Sequence, residues 1–457
     1  MTSIYFVSFM MQVFLYIFYF FLFSAVLYFL QSRNQFISKN SLFWAGWILK
    51  VSAGILLTSI YTYHYKNLNE NDIYKYFGDG EKIYEILHEN PLDYVKILIG
   101  IGNDNPEFTQ KYYNRLDWWD RKYSSDLFND SHLIIRFNAF VRIFSMGSIY
   151  IHTLFMNVLS FLGLLYFVKS LKYVFAIGQF SEILLLFWPS NLFWSSGLLK
   201  EAIVWAGIGS MMAGYFLFKQ NFLKIIFSIL GFLLIYFSKF YIAAFFLIMV
   251  AFLWTTVQYS VKHRLWLVYF VIAPVLIYVV ADTMAFMLDL SGVKDFIIRQ
   301  RNDFVTLAIQ TKAKSTIDYV TFNSTLDLLA YLPKAFYHSL FYPFPFDAHN
   351  LFMLFYSMEN IMMLVLIVSA IFIFIKYKSA IEPFLSFKQI SLFYFCLAYS
   401  LGLLIVIGLT TPVAGAIFRY RSVILPFLLI PAAEILNNWL VSKKHKKYYE
   451  KLKEMDL

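Results

Sequence analysis

The sequence predicts an all-α polytopic membrane protein of about 11 transmembrane helices, on three observations. The chain of 457 residues is 60% hydrophobic and only 14% charged, and its mean hydropathy is +0.62. Runs of about 20 apolar residues recur along it, the length that crosses the hydrocarbon core as a helix. Its polar residues gather in two long loops, 63–147 and 283–349, and at the ends of the apolar runs.

Length and hydropathy place the spans near 4–30, 42–63, 148–169, 173–188, 200–218, 222–238, 241–259, 265–283, 350–376, 389–408 and 420–441. The first, from Tyr5 to Leu30, has no basic n-region and no small-residue cleavage site, so it reads as a retained helix. The fourth is short and ends in Trp188-Pro189-Ser190-Asn191, which suggests a broken or re-entrant element. A bilayer tolerates such an element only where protein or water lines it.

Orientation follows from the basic residues. Arg33 and Lys39, Lys169 and Lys172, Lys219 and Lys224, Lys262 and Arg264, and Lys376, Lys378 and Lys388 share one side when the spans alternate. The run Lys443, Lys444, His445, Lys446 and Lys447 joins them. The positive-inside rule makes that side cytoplasmic. The N-terminus is then outside and the C-terminus inside. Both long loops face outward, as do the turns at 189–200 and 409–419. Residues 1–457 read as a single integral membrane domain.

Composition also excludes. The net charge of +10 does not mark a nucleic-acid binder, because the lysines sit in short connections beside span ends. The C-terminal basic run reads as a topology anchor, with contact to anionic membrane lipid as the alternative. The single cysteine, Cys396, lies in an apolar run. That excludes a disulfide framework and a thiolate metal site and leaves a packing role. The histidines have no metal-ligand spacing. No metal or other cofactor is expected, and a carboxylate-bound divalent ion near Asp79 has no support in the pattern.

The first outer loop carries Tyr76-Phe77-Gly78-Asp79-Gly80-Glu81 and Leu116-Asp117-Trp118-Trp119-Asp120-Arg121. Asp79 between two glycines is the leading catalytic candidate, a general base toward an acceptor hydroxyl. Gly-Asp-Gly is also ordinary turn chemistry. The loop closes on an amphipathic stretch, His132 to Phe144, that carries Arg136 and Arg142 and is expected to lie in the membrane interface.

Farther on, Ser195-Ser196-Gly197 precedes a helix start at Lys200-Glu201. Serine hydroxyls, free backbone N–H groups and a lysine at a helix N-terminus suit a phosphate. The same charges would also mark a membrane boundary. Arg419-Tyr420-Arg421 opens the last span at the outer face, against the positive-inside bias. Either these arginines bind phosphate in bidentate fashion, or they pair with loop carboxylates. Arg299 and Arg301 raise the same question. Lys50, Glu182 and Glu434 lie within spans, where charge is costly. Lys50 and Glu434 are expected to pair.

These residues resemble those of bacterial multi-pass glycosyltransferases that use polyprenyl-phosphate-linked sugars, in two branches. One is the GT-C glycosyltransferases and the other the O-antigen-polymerase-like exopolysaccharide proteins. The resemblance rests on Asp79 with Tyr84, on Pro189 to Gly197 with Lys200-Glu201, and on Arg419-Tyr420-Arg421 with Pro426. It departs from GT-C proteins in placing the aspartate after the second span and in lacking a paired Asp-x-Asp. The resemblance implies a bacterial cytoplasmic membrane protein of surface polysaccharide assembly. Its partners would be a polyprenyl-phosphate-linked sugar and a glycan acceptor, and no nucleic acid. Asp79 would be the base or the acceptor-orienting carboxylate. Lys200, Arg419 and Arg421 would hold the donor phosphate. Glu201, Arg136 and Arg142 complete the expected substrate-binding set. Trp118 and Trp119 would stack on sugar rings or serve only as interfacial anchors. A transporter or flippase is the alternative, kept open by the intramembrane charges and opposed by the lack of inverted repeats.

Overall fold

The computed structural model describes residues 2–64, 71–119, 130–260, 265–266, 268–272, 292–311, 313 and 315–455. Its longer helices in chain order are α1 (Thr2–Asn34), α2 (Asn40–Tyr63), α3 (Asp72–Glu89), α4 (Pro91–Ile99), α5 (Pro106–Lys111), α6 (His132–Ser145), α7 (Ile149–Phe175), α8 (Gln179–Phe187) and α9 (Pro189–Trp194). There follow α10 (Lys200–Phe216), α11 (Asn221–Tyr259), α12 (Val293–Gln310), α13 (Thr325–Leu340), α14 (Leu351–Lys376), α15 (Phe387–Thr410), α16 (Ala414–Arg421) and α17 (Leu425–Met455). Among the described residues there is no strand, only an isolated bridge between Thr316 and Val413.

Among the described residues, seven helices are long and apolar enough to cross a membrane: α1, α2, α7, α11, α14, α15 and α17. The chain is thus an all-helical, multi-pass membrane protein. The expected span at 173–188 is instead the end of α7 followed by the short α8, and the chain breaks at Trp188, whose ψ of 121° is extended. Pro189 opens α9, where its missing N–H costs nothing. The expected spans at 222–238 and 241–259 are the two helical arms of α11, which meet at a kink at Lys239 (φ −155°, ψ 84°). Lys262, Arg264, Asp120, Arg121 and most of the expected span at 265–283 lie outside the described residues.

The chain divides into two compact units. Unit 1 comprises residues 1–169, 192–214 and 218–243. At its centre lies α10, almost wholly buried from Lys200 to Gly214. An all-apolar circumference suits a helix enclosed on every side, and small residues let neighbours close in. A Cβ on Gly209 would stand 1.8 Å from the Gly163 carbonyl oxygen, and one on Gly207 would stand 2.8 Å from that of Gly231. Backbone contact of this kind replaces the hydrophobic drive that helices lose in lipid. Helices α1 and α2 join through Trp47 Nε1, which donates to Ser24 Oγ at 2.9 Å.

Above this bundle unit 1 folds its loop into α3, α4, α5 and α6. Asn90 caps α4 by accepting from the Leu92 and Asp93 N–H groups, Pro91 takes the first position, and Gly100 ends the helix at φ +74°. α3 packs on α6. Gly78-Asp79-Gly80, expected as a turn, lies in mid-α3. Gly80 is there because a Cβ would meet that of Asn138 at 2.5 Å. α6 buries Ile134, Ile135, Ala139 and Val141 and leaves Phe140, Ile143 and Phe144 exposed, the two-faced pattern of an interfacial helix.

Unit 2 comprises residues 170–191, 215–217 and 244–457. α13 packs on α15, where a Cβ on Gly408 would meet the Ala335 carbonyl oxygen at 2.1 Å. Their core continues through Ile297, Phe322, Leu328, Tyr331 and Leu409. An irregular strap, 315–322, is bound edge-on to the entrance of α16: Ile317 N–H donates to Pro412 O and Ala414 N–H to Ser315 O, each at 2.8 Å.

Candidate functional site

In unit 1, Lys75, Asp79 and Lys82 occupy one face of α3, at spacings of four and three residues. The dipeptide Asp117-Trp118 lies along that face. Its amides donate to the two Asp79 carboxylate oxygens, Asp117 N to Oδ1 at 2.8 Å and Trp118 N to Oδ2 at 2.7 Å. Lys82 Nζ donates to Asp117 Oδ2 at 2.7 Å, and Lys75 Nζ sits 3.8 Å from the Trp118 ring centroid. The Asp79 side chain is fully buried. Burial raises its carboxyl above the usual range, against the opposing pull of the Asp117 and Trp118 amides and of Lys82. Asp79 is therefore a buried clasp, and neither a solvated turn nor a group open to an acceptor hydroxyl as it stands.

Lys200 starts α10. Its Nζ donates to Asp130 Oδ1 at 2.6 Å and to Ser131 Oγ at 3.2 Å, and it stands 5.4 Å from the ring centroid of Tyr76. Tyr76 is one turn before Asp79, so the expected cation and carboxylate flank the same tyrosine. Glu201 does not face this group. Its Oε1 lies 2.9 Å from Lys239 Nζ, a buried ion pair at the break in α11. Ser195 is held by Lys50, whose Nζ donates to Ser195 O at 2.9 Å and Oγ at 2.8 Å. Lys50 thus does not take Glu434 as its partner. Glu434 accepts from Gly178 N at 2.8 Å and Ser181 Oγ at 2.5 Å. Glu182, expected within a span but found on the short α8, pairs with Lys172 at 2.8 Å.

The candidate arginines divide by environment. Arg136 Nε donates to Ile97 O at 2.7 Å in the last turn of α4. Arg421, fully buried, donates through Nη1 to Ser339 O at 3.2 Å and Tyr342 O at 3.1 Å, and through Nη2 to Asn360 Oδ1 at 2.8 Å. Both cap the C-terminus of a helix, where carbonyls lack partners and the dipole favours a cation. Arg142 pairs with Glu81 across α6 and α3. Arg419 is half-buried, with its guanidinium 5.2 Å from the Tyr420 ring centroid.

The two tryptophans also divide. Trp119 is buried, stacked on His132 at 4.0 Å and on Tyr113 at 4.7 Å between ring centroids. That stack is a core, with no ring face left for a sugar. Trp118 is half-buried.

A second polar cluster, absent from the sequence reading, lies in unit 2. Asp318 on the strap receives Arg301 of α12 and Tyr331 of α13. Lys334 Nζ lies 3.2 Å from it. Burial alone would raise Asp318, but Tyr331, Arg301 and Lys334 together hold its carboxyl below the usual range. Arg301 also donates through Nε to Val320 O at 2.9 Å, and Asn302 exchanges two bonds of 2.9 Å with the Phe322 main chain. Asp318 carries no signal in the sequence, because its partners lie 13 to 17 residues away on separate helices.

Among the described residues no group of His, Cys, Asp or Glu side chains is arranged to hold a metal ion. Comparison with protein-family models, curated proteins and solved structures finds no match.

Proposed function

We propose that the protein is a glycosyltransferase of cell-surface polysaccharide assembly in a bacterial cytoplasmic membrane. It transfers or polymerises sugars from a polyprenyl-phosphate-linked donor on the outer face. The observation that carries this reading is the placing of Lys200 over Tyr76 of α3, one turn from Asp79 and the Asp117-Trp118 segment that it clasps, all in one unit. Lys200, at the head of a buried helix, is the cation offered to the donor phosphate, and a phosphate would displace Asp130 from it. Asp79 orients the acceptor through the segment that it clasps. Arg136 and Arg421 belong to the fold, as caps, and Arg419 stays a candidate phosphate ligand of unit 2.

The proposed topology keeps about 11 crossings, with the N-terminus outside and the C-terminus inside. The two arms of α11, on either side of Lys239, run about 27 and 30 Å, each close to the thickness of the hydrocarbon core. The break at Lys239, with its buried Glu201 partner, also favours a second reading, a transporter or flippase of lipid-linked sugars.

One experiment separates the two. A strain lacking the gene is complemented with wild type or Lys200→Met, and surface glycans and lipid-linked intermediates are profiled. A lipid-linked sugar accumulating on the outer leaflet, cleared only by wild type, is the result expected of a transferase. Accumulation on the inner leaflet would favour the flippase, and an unchanged glycan would overturn both.

A further inference from the structure

The Asp117-Trp118 dipeptide is held to α3 at three points, which is more than an irregular surface segment needs. From the N-terminal end of the face, Lys75 lies over the Trp118 ring at 3.8 Å, Asp79 takes both amides, and Lys82 binds Asp117 at 2.7 Å. Lys75 and Lys82 stand seven positions apart along the helix, about 10 Å of rise. The middle of this strip is buried and its ends are open. The Asp79 side chain has no exposure, whereas that of Asp117 is 74% exposed and that of Lys82 35%. The buried carboxylate thus fixes the backbone of two residues whose side chains meet solvent.

Those side chains define a chemistry. A half-buried indole offers a flat apolar surface with little rotamer entropy to lose. The adjacent carboxylate accepts hydrogen bonds and the ammonium beside it donates them, and the two stand at salt-bridge distance. Vicinal hydroxyls on a ring with an apolar C–H face match that set: stacking on the indole, one hydroxyl donating to Asp117, its neighbour accepting from Lys82. A phosphate fits badly, since Asp117 repels it and Lys82 is already neutralised.

We propose that Lys75, Trp118, Asp117 and Lys82 form a saccharide-binding strip for a neutral pyranose, with Asp79 as its positioning residue. Naming that pyranose as part of the glycan acceptor rests on the glycosyl-transfer reading, whereas the binding itself does not.

The test is fluorine NMR on the full-length, fluorotryptophan-labelled protein in lipid nanodiscs. The Trp118 resonance is assigned by its loss in Trp118→Phe. Methyl glycosides and disaccharides of the common neutral hexoses are then titrated. At least one is expected to shift that resonance saturably, and Asp117→Asn and Lys82→Met are each expected to weaken it about tenfold, as loss of a hydrogen bond to a charged group does. Asp79→Ala should lower affinity likewise, and Asp79→Asn, which keeps an acceptor for one amide, should fall between. A Trp118 resonance unmoved by every sugar would overturn the proposal, as would unchanged affinity in both Asp117→Asn and Lys82→Met. Sugar binding in a protein whose deletion leaves surface glycans intact would uphold the strip and sink the glycosyl-transfer reading alone. Loss of glycan assembly without sugar binding would do the reverse.

Discussion

The amide of Trp118 donates to Asp79 Oδ2 at 2.7 Å, and this bond joins a mid-helix carboxylate to a loop 39 residues away. With its companion from Asp117, it accounts for a buried acid in a helix that starts and ends in polar residues. Replacing Asp79 with Ala leaves two amides without acceptors. The expected cost is about 2–3 kcal/mol of local stability, since bonds to charged groups contribute about 1.5–3 kcal/mol each and loop relaxation recovers part. Hydrogen exchange of the 113–119 amides checks it. Protection equal to wild type would mean the clasp is not what orders this segment.

Asp79 and Asp318 should respond to pH with opposite signs. Asp79 has its carboxyl raised in the fold, so the folded state binds a proton more readily than the unfolded chain. Its contribution is greatest at low pH and declines as pH rises from the ordinary carboxylate range through the raised value. Asp318 is depressed, so its contribution is present above the ordinary value and is lost as pH falls through the lowered one. Acidification below the usual carboxylate range should therefore free the strap at 315–322, with no loss of stability from Asp79 on that limb. Exchange rates of the two segments across an acid series check this. Strap protection that holds unchanged below that range would show that Asp318 does not lock it.

Glycines separate cleanly into close approaches and free positions. Gly209→Ala would drive a Cβ to 1.8 Å of a carbonyl oxygen on α7, and backbone cannot yield as a side-chain end can. The variant is expected to lose most folded yield. Gly78 has nothing within 4 Å of its missing Cβ and sits inside α3. Gly78→Ala should stabilise that helix by about 0.5–1 kcal/mol. Thermal melts of both in one detergent make the comparison, and a destabilised Gly78→Ala would count against α3 as a helix through that position.

Apolar runs made α1, α2, α7, α14 and α15 legible, because a membrane span is written in consecutive residues. The rest was hidden for physical reasons. Gly78-Asp79-Gly80 reads as a turn locally, and only the approach of Asn138, 58 residues on, explains a glycine in a helix there. Arg136 and Arg421 look like ligands because arginines expected to face outward need a partner. The partners are main-chain carbonyls and, for Arg421, also the Asn360 amide oxygen, contacts that leave no trace in a sequence. Trp119 looks like Trp118 in sequence, but stacking on His132 and Tyr113 commits it to a core.

The Glu201–Lys239 pair offers a sharp energetic test. Both side chains are nearly inaccessible, and the pair is 2.9 Å apart. Removing one partner of a buried pair strands the other charge, which typically costs about 3–5 kcal/mol, whereas replacing both by apolar residues is often close to neutral. Glu201→Gln and Lys239→Met are each expected to destabilise by several kcal/mol, and the double variant by less than either. Unfolding in a denaturing detergent gives the three values, and additive losses would show that the two charges do not depend on each other.

Arg421 distinguishes a cap from a phosphate ligand. A lysine keeps the charge, so a point-charge phosphate site retains part of its affinity after Arg421→Lys. A lysine cannot keep the planar fork that reaches Ser339 O and Tyr342 O through one nitrogen and Asn360 Oδ1 through another. If Arg421 is a cap, Arg421→Lys should lose about 2–4 kcal/mol, close to the loss in Arg421→Ala, because buried carbonyls at the α13 exit go unmet in both. The melting temperature of both variants, with and without added polyprenyl phosphate, decides. A lysine variant as stable as wild type, with the lipid's stabilising increment reduced in it and lost in Arg421→Ala, would return Arg421 to the ligand-binding set. Equal destabilisation of both variants, with the lipid's stabilising increment unchanged, is the result expected from a guanidinium already spent on the fold.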